Sequence, residues 1–256
     1  MAVALCAPGR ADENHVFTPD YFLRVGIDFG GLLRAPLHWD RTEWLIAGGI
    51  LGATYGAYTV DNAGRRLFLH HWTGQNLREL SGAVTHFGDW QYQVPLMAGC
   101  WLTGFVTGSA FFDKLAADGA EASLLSAGII GPSIVYATGR DLPNKNRPAY
   151  EFTPFSSGRV SFPSGHTTEA FAMASVLDHN LRPYWGFWQT PVLYLLAGAV
   201  GFSRMHDQKH YLSDVVLGAG LGWSVGTWVS RKPRNAPAAS VAPSSAGPVL
   251  AWTVRI

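Results

Sequence analysis

Three short polar segments carry residue types that bind or transfer phosphate. The first runs from Gly139 to Pro148 and contains Arg140 and Arg147, with Lys145 between them. A guanidinium is permanently charged and presents a planar fork of N–H groups that can grip two oxygens of a phosphate. Arg140 and Arg147 are therefore candidate phosphate ligands. Basic residues beside an apolar helix can equally be interfacial or solvated charges, and this segment alone does not separate the two.

The second segment, Ser161 to Thr167, precedes an apolar run and has the residues of a helix start. Pro163, Ser164 and Gly165 would place backbone N–H groups and the Ser164 hydroxyl at a helix N-terminus, which attracts anions. His166 would lie beside the anion, where a protonated imidazole can donate a proton to a leaving oxygen. The alternative is a loop histidine whose ring is satisfied by its surroundings.

The third segment, Ser203 to Asp214, holds a candidate nucleophile. If a helix begins at Tyr211, His210 and Asp214 are four residues apart and share one face, so the carboxylate can fix the imidazole tautomer. The other ring nitrogen is then available to attack phosphorus. His206 is the rival nucleophile, although it has no carboxylate four residues later. A metal site of His206, His210 and Asp214 is the other interpretation.

Six windows that are apolar or rich in small residues surround these segments and predict the elements that position them. Several reach the length of a transmembrane helix. Gly218 and Gly222 in the last window are spaced for close helix packing, as are Gly48 and Gly52 in the first. We predict an all-α protein with a six-helix core bundle that spans a membrane. The windows are Trp44 to Val60, Tyr92 to Phe112, Ala122 to Thr138, Thr167 to Leu177, Pro191 to Phe202 and Val215 to Val229.

The composition of the 256-residue chain supports this class and excludes others. Only 14% of residues are charged, and there are 29 glycines and ten tryptophans, yet the mean hydropathy is only +0.08. A formal net charge of +1 provides no field to attract nucleic acid, so we predict no nucleic-acid partner. Cys6 and Cys100 are too few for a disulfide framework or a four-cysteine zinc site.

The chain divides into three parts by composition. Residues 1–41 form an N-terminal segment, interpreted as a signal-peptide remnant or an interfacial helix. Residues 42–230 form the six-helix domain. Residues 231–256, rich in Ala, Pro and Ser, have the composition of a flexible tail.

The three segments together resemble the type 2 phosphatidic acid phosphatase superfamily, which shares its site with the vanadium haloperoxidases. The family pattern is Lys or Arg, six residues, Arg-Pro; then Pro-Ser-Gly-His; then Ser-Arg, five residues, His, three residues, Asp. This chain has Arg140 with Arg147-Pro148, then Pro163 to His166, then Ser203-Arg204 with His210 and Asp214. A register common in bacterial members would instead put Val135 and Leu142 at the two basic positions of the first motif.

The resemblance implies a two-step phosphate hydrolysis without metal or cofactor. His210 would attack phosphorus, Asp214 would orient it, and His166 would protonate the leaving alcohol and then activate water. Phosphate-binding residues would hold the equatorial oxygens. They are Arg140, Arg147, Arg204, Ser164 and the Gly165 amide.

If all six windows span, the connectors that carry the three segments emerge on one face, together with the connector Asp61 to Trp90. With Arg140, Arg147 and Arg204 set aside, the opposite face carries more Lys and Arg. This bias predicts a bacterial-type inner membrane with the site facing the periplasm or exterior. The expected substrate is a lipid phosphate monoester or an isoprenyl diphosphate.

Three alternatives stay open at this level. A soluble periplasmic acid phosphatase with the same site would fit the low hydropathy. A vanadate-dependent haloperoxidase would use the same residues for redox chemistry. An inactive membrane scaffold or transporter would retain the residues without turnover.

Overall fold

A computed structural model describes residues 18–71, 74–145, 147–156 and 158–232 of the chain. The start of the N-terminal segment, residues 1–17, where the candidate signal-peptide remnant falls, lies outside the described residues, and so does the tail from residue 233 onward. Within them the regular structure is helical, apart from one isolated antiparallel bridge between Arg140 and Phe152. The expected all-α class is confirmed.

Each of the six windows corresponds to one core helix or continuous helical run, which confirms the predicted six-helix core. The polar residues between the windows form the connectors, except for residues 113–121, which lie within α6. The core helices are α2 (Arg41–Thr59), α5 (Trp90–Thr107), the run of α6 (Ala110–Ser123), a π-helical segment (Leu124–Ile130) and α7 (Gly131–Thr138), then α8 (Gly165–Trp185), α9 (Gln189–His206) and α10 (Leu212–Ser230).

Further helices surround this core. They are α1 (Pro19–Arg34), α3 (Asp61–His71) and α4 (Gln75–Thr85), with single 3₁₀ turns at Ala35–His38, His86–Gly88 and Pro143–Lys145. The Tyr21 hydroxyl of α1 donates to the Ala117 carbonyl of α6 at 3.2 Å, so α1 packs on the bundle. Helices α3 and α4 lie within the long connector Asp61 to Trp90.

Helix α8 packs most closely against α10, along a row of glycines. A Cβ on Gly218 would meet the Ser164 carbonyl oxygen at 2.7 Å, and one on Gly226 would meet the Ala172 carbonyl oxygen at 2.5 Å. A Cβ on Gly222 would collide with the Thr168 carbonyl oxygen. The expected close approach at Gly218 and Gly222 is therefore confirmed. At Gly48 and Gly52 a Cβ would meet nothing within 4 Å, so those glycines do not mark a contact.

Large apolar side chains lie on the outside of the bundle, whereas small and polar ones fill much of the interior. Exposed examples occur on α2, α5 and α9: Trp44, Leu45, Leu51, Tyr55, Val94, Leu102, Val106, Val192 and Leu195. Contiguous exposed apolar surface marks contact with a membrane or another protein. Among the described helices, the run Ala110–Thr138 is the one that is long and apolar enough to cross a membrane by length and composition.

The glycine row generates a prediction about stability. We expect Gly222→Ala to destabilise the protein by about 1–3 kcal/mol, because the new methyl group meets backbone that cannot rotate away. Thermal unfolding in detergent measures the effect. Gly48→Ala, with open space around the new methyl group, is the matched control and should be neutral or slightly stabilising. An equal effect of the two substitutions would contradict the packing described.

Candidate active site

The three polar segments meet at one end of the bundle. Arg140 follows α7 directly, because Gly139 ends that helix in the left-handed region, with φ of 61°. The backbone then links the segments: the Ser161 N–H donates to the Arg140 carbonyl at 3.1 Å, and the Ser164 N–H donates to the Asp214 carbonyl at 3.0 Å. The prediction that the connectors converge is confirmed.

A hydrogen bond at one ring nitrogen, Nδ1, holds His210 in place. Its Nδ1 lies 2.8 Å from the Ser161 carbonyl oxygen and 3.7 Å from Asp214 Oδ2. The carbonyl oxygen can only accept, so Nδ1 carries a hydrogen and donates it. In the neutral ring the lone pair then lies on Nε2. Nε2 has no hydrogen-bond partner among the described residues. We expected the Asp214 carboxylate to fix the tautomer of this ring. In the structure the direct hydrogen bond to Nδ1 comes from the Ser161 carbonyl.

Asp214 acts on His210 through Ser161. The fully buried carboxylate accepts from the Ser161 hydroxyl at 2.5 Å and from the Tyr211 N–H at 2.8 Å, both at Oδ2. Its Oδ1 accepts from Arg140 Nη1 at 2.5 Å. Asp214 thus fixes the residue whose carbonyl holds the imidazole, and it also caps α10.

Arg140 is fully buried and uses all five of its N–H bonds within the protein. Nε and Nη2 donate to the Ala149 carbonyl at 2.9 and 2.7 Å. Nη1 donates to Ser213 Oγ at 2.7 Å as well as to Asp214, and Nη2 also donates to Asp61 Oδ2 at 2.6 Å. We predicted a phosphate ligand at this position. The geometry differs, because no N–H bond is left for a phosphate oxygen.

Aromatic rings and a second carboxylate complete the surroundings of Arg140. The ring centroid of Tyr211 lies 4.1 Å from the guanidinium carbon, and that of Phe152 lies 5.4 Å away. Burial raises the pKa of the Tyr211 phenol, so the ring stays neutral beside the cation. Asp61 also accepts from the Ser213 N–H at 2.9 Å and its hydroxyl at 2.6 Å. Asp61 was not among the predicted site residues, because its only signal in the sequence is its place as a lone acid directly after an apolar window.

Arg147, the other arginine of the first motif, faces solvent. Its side chain is 52% exposed and pairs with Asp141 at 3.2 Å and with Glu151 at 3.3 Å. Arg159 pairs with the same two carboxylates at 3.5 and 3.3 Å. The structure thus brings Arg140 and Arg147 into different environments and does not combine them into one clamp.

Arg204 differs from Arg140 because part of its guanidinium has no partner among the described residues. Its Nη2 donates to Thr85 and, at 2.7 Å, to Asp207, and its Nε donates to Ser203 at 3.3 Å. The two Nη1 hydrogens have no partner among the described residues. Thr85 and Asp207 hold this arginine in place, and neither was among the predicted site residues.

His166 lies beside Arg204 and His210, as the motifs predict. The charges that act on its ring are those of Arg204, His210 and Asp89. A Cβ on Gly88 would collide with the His166 carbonyl oxygen, so the 3₁₀ turn before α5 packs directly on this residue. Asp89 is an acidic neighbour that the sequence analysis missed, because it lies in a different connector.

Ser164 and Gly165 form the expected helix start. Ser164 is the N-cap of α8, and its hydroxyl accepts from the Thr167 N–H at 3.4 Å and from the Thr167 hydroxyl at 2.9 Å. Ser164 is fully buried, whereas Gly165 is exposed. The N–H groups of Gly165 and His166 belong to the first turn, where no intrahelical acceptor exists. This end of α8 is a place where an anion can bind.

Comparison with known proteins finds similarity over part of the chain. A family model described as the PAP2 superfamily matches residues 121–237. The chain is 31% identical over 167 residues to a lipid A 1-phosphatase of Porphyromonas gingivalis, an alignment that covers 60% of this chain. The chain spans about a third of that relative's length, 34%.

A solved structure shares the fold. The crystal structure of Aquifex aeolicus LpxE superposes with a TM-score of 0.51 and 20% identity, and the match covers 66% of this chain and 94% of that one. At this identity the similarity shows the fold alone. The region that the PAP2 superfamily model matches, residues 121–237, is the part of the chain that carries His166, Arg204, His210 and Asp214.

Proposed function

We propose that this protein is a phosphatase that hydrolyses a lipid phosphate monoester or an isoprenyl diphosphate through a phosphohistidine. The observation that carries the proposal is the state of His210, whose Nδ1 donates to the Ser161 carbonyl while Nε2 has no hydrogen-bond partner among the described residues. The charges of His210 and Arg204 both act on His166, so the three groups lie near one another. A nucleophilic nitrogen next to an acid–base group and a guanidinium is the set that phosphoryl transfer requires.

In the first step, the Nε2 lone pair of His210 attacks phosphorus and the bond from phosphorus to the leaving oxygen breaks. His166 donates a proton to that oxygen, so the product leaves as an alcohol, or as a phosphate ester if the substrate is a diphosphate. In the second step, His166 accepts a proton from water, the water oxygen attacks phosphorus, and the N–P bond breaks. Inorganic phosphate leaves and His210 is regenerated.

The negative charge on the transferred phosphoryl group would be stabilised by N–H groups that can donate hydrogen bonds to its oxygens. Arg204 Nη1 and the first-turn amides of α8, including that of Gly165, would hold the equatorial oxygens. Ser164 would shape this turn as its N-cap. We assign Arg140 a positioning role, since it fixes Asp214 and through it Ser161, and we assign Arg147 at most a peripheral contact with the substrate.

We also propose that the protein is embedded in a membrane with this end of the bundle outside the cytoplasm. The exposed apolar side chains on α2, α5 and α9 and the apolar run Ala110–Thr138 support the embedding. The Lys and Arg distribution supports the orientation. A membrane site favours a lipid substrate, and the similarity to a lipid A 1-phosphatase points to the same class.

The nucleophile can be tested by substitution. We expect His210→Ala to reduce phosphate release from a panel of lipid phosphates by more than about a thousandfold, because the attacking nitrogen is gone. Rapid quench with radiolabelled substrate should trap a base-stable, acid-labile phosphoenzyme in the native protein but not in this variant. His206→Ala is the matched control and should retain the label. Full turnover in His210→Ala would exclude the mechanism.

The different roles of the arginines give a second prediction. Arg140→Gln should lower the free energy of unfolding by about 3–5 kcal/mol, because two buried carboxylates lose their cation. Arg147→Gln, which breaks exposed pairs, should lower the free energy of unfolding by at most about 1 kcal/mol.

Arg204→Gln should weaken competitive inhibition by vanadate, a mimic of the five-coordinate transition state. Chemical unfolding in detergent and vanadate titration measure these effects; equal stability losses for Arg140 and Arg147 would refute the assignment.

Membrane embedding is tested by extraction. The full chain should stay in the membrane pellet after washing with salt and with alkaline carbonate, and detergent should release it, because its apolar exterior is solvated by lipid. Release by carbonate alone would instead support the soluble periplasmic phosphatase.

A further inference from the structure

A cavity of about 480 Å³ lies between α5, α6, the π-helical segment and α8. Its walls are mainly apolar, with Val94 and Met97 from α5 and Leu124 from the π-helical segment among the lining residues. Gly165 and His166 line it as well. The cavity therefore begins at the proposed leaving-group side of the phosphate site and continues along apolar side chains.

Besides Asp89 and His166, one further ionisable side chain lines this cavity. Glu169 lines it and is only 3% exposed. Its Oε1 accepts a hydrogen bond from the hydroxyl of Ser123, which also lines the cavity. The second carboxyl oxygen, Oε2, has no hydrogen-bond partner among the described residues. Burying a polar group without a partner costs free energy, so this oxygen requires a donor when the cavity is filled with apolar matter.

The position of Glu169 relative to His166 fixes where that donor would lie. The two residues are three positions apart on α8 and share one face, which puts their Cβ atoms about 5–6 Å apart. His166 is the group proposed to protonate the leaving oxygen. A substrate group that donates a hydrogen bond to Glu169 therefore lies only a few covalent bonds from the phosphate ester of the same substrate molecule.

We propose that Glu169 is a specificity-determining residue that accepts a hydrogen bond from a hydroxyl or amide N–H group of the lipid, close to its phosphate, while the apolar chain fills the cavity. This rests on the proposed phosphatase function. The substrate class becomes narrower: a phosphorylated lipid with a hydrogen-bond donor near the phosphate is preferred over one that has only ester oxygens there. Ester oxygens cannot donate to Oε2 and would leave it unpaired.

A matched pair of substrates tests this proposal with the full chain in detergent micelles. One is 1-oleoyl lysophosphatidic acid, which has a hydroxyl beside the phosphate-bearing carbon, and the other is its 2-deoxy analogue, which lacks only that hydroxyl. The measured quantity is the ratio of their kcat/KM values. We expect the native protein to prefer the hydroxylated substrate by about tenfold or more, as is usual for hydrogen bonds to charged groups.

Glu169→Met, which is similar in size and apolar, should bring this ratio to about 1. Glu169→Gln keeps an acceptor but removes the charge, and should reduce the ratio at least about threefold. Met97→Ala changes the apolar wall alone, so it should affect both substrates equally and leave the ratio as in the native protein. Turnover of p-nitrophenyl phosphate, which has neither a hydroxyl group near its phosphate nor an acyl chain, reports on folding and on the phosphate site.

The outcomes separate this proposal from the phosphatase function. An unchanged ratio in either Glu169 variant that still turns over p-nitrophenyl phosphate overturns the role of Glu169 and leaves the phosphatase function standing. A kcat/KM ratio near 1 for the native protein has the same meaning: it overturns the role of Glu169 and leaves the phosphatase function standing. Turnover that persists in His210→Ala overturns the phosphatase mechanism, whatever the ratio.

Discussion

The buried guanidinium of Arg140 is the interaction on which the arrangement of the site depends. It joins Asp61 at the start of α3 to Asp214 in the first turn of α10, and all three side chains are inaccessible to solvent. Removing such charges from water is costly, and their attraction compensates only when the remaining donors and acceptors are also bonded. Here all five N–H bonds of Arg140 are used. Any rearrangement that freed Arg140 for another ligand would therefore leave two carboxylates buried without a cation.

This constraint separates the arginines by function. Arg140 has the residue type of a phosphate ligand, but its partners commit it to holding Asp214. Arg204 is anchored through Nη2 and Nε by Thr85, Asp207 and Ser203. Its Nη1 has no hydrogen-bond partner in the part of the chain that the structure describes. A positioned guanidinium with part of its fork unoccupied is preorganised for a developing negative charge. The difference between the two side chains comes from tertiary contacts, so residue type and spacing do not reveal it.

The features predictable from the sequence are those encoded over short distances. Hydropathy located the six core helices, and local spacing placed Ser164 at a helix start and His210 before Asp214. Asp61 lies 79 residues from Arg140, and Thr85 lies 119 residues from Arg204. No periodicity records which connectors meet at such separations. The hydrogen bond from His210 to Ser161 was also inaccessible, because its acceptor is a backbone carbonyl whose direction depends on the folded loop.

The glycine row between α8 and α10 also constrains the positions of the proposed catalytic residues. Gly218 lets α10 approach the Ser164 carbonyl, and the Ser164 N–H donates to the Asp214 carbonyl. The contact between α8 and α10 therefore extends directly to the residues of the site. His166 lies in the first turn of α8, and His210 lies just before α10. Their separation is therefore set by how closely the two helices pack. The proposed acid and nucleophile are held at a fixed spacing by backbone contact, which side-chain rotation cannot alter, and this favours preorganisation over adjustment on binding.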